Sequence, residues 1–239
     1  MDNSAGRGSS GAAATSARGQ IIGYALILGI FLSLLIVALV SSWLAVELVN
    51  ETRAYATGEG RYSKAQKMAV LDLYRYADTN DQKYYDAFQR DIAVPRGDRV
   101  ARMALMAEPP DVQAAAEGFL RGQNDPEDIH GLIRLYRWFY WWKPFVAATH
   151  DWRTADEKID VLLVEAAALH RHVVQGTLSR PVRKALIGRI EAIDAELTER
   201  ETTFSTHMGE AARGATWLVV IGLGGLTIGL WTIGIFFAT

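Results

Sequence analysis

The sequence predicts an all-α protein: two transmembrane helices continuous with an extracytoplasmic multi-helix bundle. Three observations carry that reading. Two uncharged apolar stretches, 21–46 and 215–238, are each long enough to cross a bilayer, which takes roughly 20 helical residues. The insert between them, about 170 residues, places its apolar side chains at helical spacing and shows little strand alternation. No proline separates the last amphipathic stripe from the second apolar stretch. One helix of about 60 residues, roughly 90 Å long at 1.5 Å per residue, is therefore expected to serve both. The chain divides into a disordered cytoplasmic tail at 1–19, a transmembrane helix at 20–46, the helical domain at 47–214 and a second transmembrane helix at 215–238.

The tail is rich in Gly, Ser and Ala, with nothing to bury. The first apolar stretch is longer than the core of a cleavable signal, so it is read as a retained anchor whose helix continues through Glu47 to Asp78. A turn is expected at Asp78-Thr79-Asn80-Asp81, with Thr79 and Gln82 as a capping box for the next helix. That helix carries Tyr84, Tyr85, Phe88 and Ile92 and is expected to stop at Val94-Pro95, with Asp98 capping a short successor. Beyond Pro109-Pro110, Val112, Ala115, Ala116 and Phe119 form another stripe, ended near Gly122.

Asp125-Pro126-Glu127-Asp128 combines a capping residue, proline at the first helical position and acids at the positive helix end. The stripe that follows, from Ile129 to Tyr140, is the cleanest amphipathic pattern in the chain, and Lys143-Pro144 closes it. Thr154 with Glu157 reads as a further capping box, and Gly176 as the end of the helix it starts. Ser179 then caps the last helix, whose face of Val182, Leu186, Ile190, Ile193, Leu197, Phe204 and Met208 resembles a coiled-coil seam.

The formal charge is −2 and there is no cysteine, which excludes disulfides, thiolate catalysis and Cys-ligated zinc. The insert is too balanced in charge to suggest nucleic acid as a partner. Arg7 and Arg18 favour a cytoplasmic N-terminus, though Arg53, Arg61 and Lys64 follow the span closely. Long loops translocate largely regardless of charge, so the insert is expected outside, with Trp43 and Trp217 at one membrane interface and Tyr24 and Trp231 at the other.

The run Trp138 to Trp142 is the most unusual local feature. Successive residues on a helix are about 100° apart, so such a run goes all the way round. Trp138, Trp141, Trp142 and the nearby Trp152, with Arg134 and Arg137 a turn below, form a candidate site for a small organic ion; core packing between short helices is the competing reading. Arg61, Lys64 and Lys67 share a helix edge and form a second candidate for an acidic ligand, against a solvated edge or contact with lipid headgroups. Gly225 and Gly229 form a small-xxx-small pair that reads as a helix contact, within the hairpin or across a dimer, against the reading that glycine is simply common in membrane helices.

His170 and His172 diverge, and His207 with Glu210 falls short of a zinc site, so no metal and no cofactor is expected. Glu191 with Asp194 and Asp156 with Asp160 are read as solvated pairs on exposed faces, and no catalytic constellation is recognised.

Three stretches resemble a known bacterial module: Gly58-Glu59-Gly60-Arg61-Tyr62-Ser63-Lys64-Ala65-Gln66-Lys67, Val94-Pro95-Arg96-Gly97-Asp98-Arg99, and Gly118-Phe119-Leu120-Arg121-Gly122-Gln123-Asn124 to Asp128. Together they look like the helical extracytoplasmic sensor module that precedes histidine kinases and diguanylate cyclases or phosphodiesterases. The likeness covers about residues 57 to 214 and the flanking spans, and it assigns no ligand residue. It implies the signal-input region of an inner-membrane receptor, a homodimer in the lipid bilayer. Its domain would meet an unknown small molecule or periplasmic partner, and its output domain would lie outside this chain. The alternative is a non-catalytic membrane-anchored subunit or scaffold of a larger complex, docked through the aromatic run.

Overall fold

Helix formation accounts for nearly all of the backbone. The computed structural model describes residues 8–238, and the described residues form six helices and no strand. They are α1 (Gly8–Thr79), α2 (Gln82–Met106), α3 (Val112–Arg121), α4 (Ile129–Phe139), α5 (Lys143–Val174) and α6 (Arg180–Ala238). The expected tail falls partly outside the described residues, at 1–7; from Gly8 the chain is already in α1. Extending a helix that a long apolar segment has nucleated costs only local propensity, and Ala12, Ala13, Ala14 and Ala17 are the best helix formers.

Contacts divide the chain into two units, the apolar spans up to Val46 and from Ala215, and the segment Glu47–Gly214. In the first unit α1 and α6 are each long and apolar enough to cross a membrane. Leu28, Phe31, Leu39, Ile228 and Phe236 stay exposed, unlike the apolar face of a soluble core helix. Hydroxyls turn back on their own helix: Ser33 donates to the Ile30 carbonyl at 2.7 Å, and Thr227 and Thr232 donate to Leu223 and Ile228 at 2.8 Å. Thr198 and Thr202 of α6 do the same in the second unit, so this back-bonding is a general habit of helical hydroxyls that also satisfies them where water is absent.

In the second unit one core runs through all six helices, with Leu73 and Tyr76 of α1, Phe88 and Ile92 of α2, Phe119 of α3, Leu132 of α4, Phe145, Ile159 and Leu162 of α5, and Leu186, Ile190 and Leu197 of α6. The α6 stripe read from the sequence is the buried one, with Val182 and Phe204 at its margin. Schellman closures end α3 and α5. At α5, Gly176 has φ +67°, and Thr177 and Gly176 donate to His172 and Val173 at 2.9 and 3.0 Å. At α3, Gln123 takes the left-handed position with φ 59°, a conformation that costs a side-chain-bearing residue about 1–2 kcal/mol.

Several expected helix ends lie elsewhere. Asp81 rather than Thr79 caps α2, accepting from the Lys83 N–H at 3.0 Å; Thr79 is the last residue of α1, its hydroxyl donating to the Arg75 carbonyl and accepting from the Asp81 N–H at 3.3 Å. Pro95 does not stop α2: Val94, Pro95 and Gly97 are buried, and that packing outweighs the one backbone bond proline removes. Asp98, inside the same helix, is therefore a buried side chain and not a cap.

Asp125 shapes a turn, accepting from the Glu127 N–H at 3.0 Å, and α4 starts only at Ile129 with Asp128 in the capping position. Thr154 starts nothing, since α5 is unbroken there and the Thr154 hydroxyl donates to the His150 carbonyl. The aromatic run is split: Trp138 and Phe139 end α4, a turn takes Tyr140 to Trp142, and Pro144 opens α5.

Candidate functional site

A cavity of about 50 Å³ lies inside the 47–214 unit, and every helix of that unit contributes to its wall. From α1 come Tyr55, Gly58, Glu59 and Tyr62, spaced so that they share one face. α2 supplies Asp98, α3 Phe119, and the link after α3 Asn124. Leu132 of α4, Asp151, Trp152 and Ala155 of α5, and Arg200, Glu201 and Phe204 of α6 complete it.

The polar part of the wall is held by a close crossing of α2 and α3. A Cβ on Gly118 would fall 2.8 Å from the Ala101 Cα and 2.9 Å from the Gly97 carbonyl oxygen. One on Gly122 would overlap the Asp98 carboxylate, and one on Gly58 would come within 2.6 Å of Asn124 Oδ1. This approach lets Asn124 Nδ2 donate to Asp98 Oδ1 at 2.8 Å and to the Phe119 carbonyl at 3.1 Å. Parts of the stretches 58–67, 94–99 and 118–128 thus meet at one place.

Around this core several other polar groups are tied in pairs. The Tyr55 hydroxyl donates to the Leu132 carbonyl at 3.0 Å, and the Ser63 hydroxyl to Glu201 Oε2 at 2.8 Å. His207 Nδ1 lies 2.6 Å from Asp151 Oδ2. Behind the wall, Arg102 Nε and Nη2 both donate to Asp156 Oδ2, at 3.0 and 2.6 Å, and the Arg102 guanidinium sits 6.0 Å from the Trp152 ring centre. Burial raises the Asp98 carboxyl well above its usual range, with the Asn124 bond pulling the other way. It raises Glu59 and Glu201 as well, and pushes Asp156 up to about 6 against the pull of Arg102. The Tyr62 phenol is also raised, by burial first and by the surrounding carboxylates second.

The residues singled out in the sequence do not converge on one site. Trp152 alone lines this cavity, edge-on to Phe204 with ring centres 6.3 Å apart. Trp138 and Arg134 are brought together, the guanidinium 5.5 Å from the ring centre, but Arg134 also binds Glu47 and, at 2.5 Å, Glu51. Trp142 is half-buried beside Phe139, and its ring lies where a Cβ on Gly214 would come within 2.7 Å. Trp141 is exposed. Arg137 is exposed too and borders a separate, wider groove with Tyr136, His150 and Arg153.

Of the basic edge on α1, Lys64 is exposed, Arg61 acts on the Asp98 charge, and Lys67 donates to Asp194 at 2.7 Å and to Thr198. A Cβ on Gly225 or Gly229 would meet nothing within 4 Å, whereas one on Gly234 would lie 3.1 Å from Ile30 Cδ1. Two carboxylates expected on open faces are not there: Asp156 is buried against Arg102, and Asp194 is half-buried between Gln66 and Lys67. Among the described residues no group of three or more His, Cys, Asp or Glu is placed to hold a metal ion.

The sequence reading missed Tyr62, Asp98, Asn124 and Glu201 as partners in one site. Their signal was faint but present: Asp98 follows Gly97, Asn124 stands two residues after Gly122, and Glu201 interrupts the apolar face between Leu197 and Phe204. In the comparisons with known proteins, no family model, no curated protein and no solved structure matches this chain.

Proposed function

We propose that this chain is the signal-input region of a bacterial inner-membrane receptor. Its 47–214 domain lies in the periplasm as a helical bundle, and the receptor works as a homodimer. Movement of the helices passes to a cytoplasmic output domain outside this chain, and the chain itself binds without catalysing. The observation that carries the reading is that α1 and α6 are each a single helix running from an apolar span into residues that line the cavity. Glu59 and Tyr62 stand on α1, and Arg200, Glu201 and Phe204 on α6. A ligand touching both helices biases their arrangement if it binds one state better than the other.

The test is a fusion of the full chain to a reporter histidine-kinase output, with one to seven residues inserted after Thr239. Each inserted residue turns a continuous helix by about 100° and lengthens it by about 1.5 Å. Output should rise and fall with the helical period; a reporter indifferent to all seven insertions refutes the reading. Because the chain has no cysteine, single cysteines placed at Lys64 and Glu196 also report sidedness. Both should react with a membrane-impermeant maleimide added outside spheroplasts.

A second reading has its own observation. Tyr140 and Trp141 are 63% and 66% exposed on the turn between α4 and α5, which suits a docking surface of a non-catalytic subunit. Stoichiometric co-purification of another membrane protein, lost on Trp141→Ala, would favour that reading over the receptor.

A further inference from the structure

We infer that the cavity in the 47–214 domain is a binding site for a small protonated amine, held by Glu201 and Tyr62. As a stimulus site this rests on the receptor reading; as a binding site it stands on the geometry alone. Two buried polar atoms of residues that line it have no partner, the Tyr62 hydroxyl and Glu201 Oε1. Both residues are more than nine-tenths buried, with 7% and 8% of their surface exposed. The neighbouring polar groups are already engaged: Glu201 Oε2 by Ser63, Asp98 by Asn124, Asp151 by His207. A buried carboxylate oxygen and a buried phenol left unpaired are each costly. A donor-rich guest that reached both atoms would remove both costs.

The charge of the wall selects the sign of that group. Glu59, Asp98, Asp151 and Glu201 line the cavity against the single base Arg200. Arg61 offsets part of the Asp98 charge and Asp151 is paired with His207, which leaves Glu59 and Glu201 to repel an anion and attract a cation. A metal ion wants several converging oxygen or nitrogen ligands, and no such group forms among the described residues. The rest of the wall is aromatic, with Trp152, Phe204 and Phe119 offering ring surface that favours an organic cation over a hydrated one. Burial raises Glu201, and a bound ammonium would draw it back down, so occupancy relieves a group the fold leaves strained.

Size narrows the class. At about 50 Å³ the cavity holds roughly four water-sized positions, which suits an ammonium head with a few carbons. Ligands so small bind in about the millimolar range.

The test uses the full chain in lipid nanodiscs at pH 7.5 and follows ligand signals by saturation-transfer NMR. The probes are ethylamine and ethanolamine, tetramethylammonium as a cation without N–H donors, and ethanol and acetate as neutral and anionic controls. Ethylamine and ethanolamine should bind and compete with each other, and the other three should bind at least tenfold more weakly. Glu201→Gln should weaken the amines tenfold or more. Tyr62→Phe, which keeps the ring and removes only the hydroxyl, should weaken them about threefold with the far-ultraviolet spectrum unchanged.

The proposal is overturned if neither amine binds at 50 mM, or if acetate or ethanol binds as well as they do. Unchanged affinity in folded Tyr62→Phe and Glu201→Gln proteins overturns it too, and would leave the cavity to ordered water. Amine binding with no reporter response to the amine would keep the binding site and overturn its role as a stimulus site. A reporter with helical phase dependence and no amine binding would do the reverse.

Discussion

A methyl group on Gly118 should loosen the domain, because α2 and α3 leave no room for it. Its Cβ would stand 2.8 Å from the Ala101 Cα, and closer still to the Ala101 nitrogen. Carbon atoms pack comfortably at about 3.5–4.0 Å, so α3 must retreat by roughly 0.7 Å or more. Overpacking of this kind costs about 1–3 kcal/mol, while replacing a helical glycine by alanine returns up to about 1 kcal/mol. The net expectation for Gly118→Ala is a loss of about 1–2 kcal/mol, or more if the backbone does not yield. For a domain of this size that lowers the melting temperature by about 2–8 °C.

Gly188 supplies the opposite sign from the same chemical change. It lies on α6 with nothing within 4 Å of a built Cβ, so Gly188→Ala should gain up to about 1 kcal/mol. Thermal unfolding of the full chain in detergent, followed by circular dichroism and by tryptophan fluorescence, measures both. A Gly118→Ala protein that melts at or above the parent would show that the crossing is not tight. The same variant should weaken amine binding, since the crossing holds Asp98 against Asn124.

Two further predictions concern buried charge. Asp98 and Glu201 are raised in the folded state above their ordinary 3.8 and 4.5, so the folded protein holds protons more tightly than the unfolded chain. Their contribution is therefore fully present below those ordinary values and is lost as pH rises through the raised ones, with Asp156 adding a loss up to about 6. Urea midpoints should be higher at pH 5 than at pH 7.5, and Asp98→Asn should raise the midpoint at pH 7.5 and flatten the slope; a midpoint that climbs with pH in the parent would contradict this. Arg102→Met strands Asp156 and should cost about 3–5 kcal/mol, whereas Arg102→Met with Asp156→Leu should recover most of it; equal losses in the two, by urea unfolding, would mean the pair is not coupled.

The long elements were legible because their signals are additive over many residues. Apolar spans and the uninterrupted α6 stripe give the two long helices, and no local conflict is strong enough to break either. Helix ends were less legible because each depends on one or two residues whose rules tertiary packing can override. Pro95 sits inside α2 because its neighbours are buried, and the Thr154–Glu157 pattern marks no helix start because α5 already occupies that segment. The aromatic run misled for a related reason. Counting 100° steps from Trp138 to Trp142 assumes one helix, and the turn at Tyr140 to Trp142 sends these rings to different neighbours.

The cavity was hidden by distance along the chain. Asp98 read as a helix cap, Tyr62 and Asn124 lay within stretches to which no ligand role attached, and Glu201 carried no reading of its own. What joins them is the α2–α3 crossing, which depends on Gly97 and Gly118 having no side chain. Without that approach Asp98 would lie farther from Asn124, and the polar end of the wall would open to water. An unpaired Glu201 Oε1 would then cost little, since solvent would reach it. The glycines therefore do more than close the packing: they bring Asp98 and Asn124 together at the polar end of the wall, beside the two unpaired atoms from which any affinity of the cavity for a guest would come.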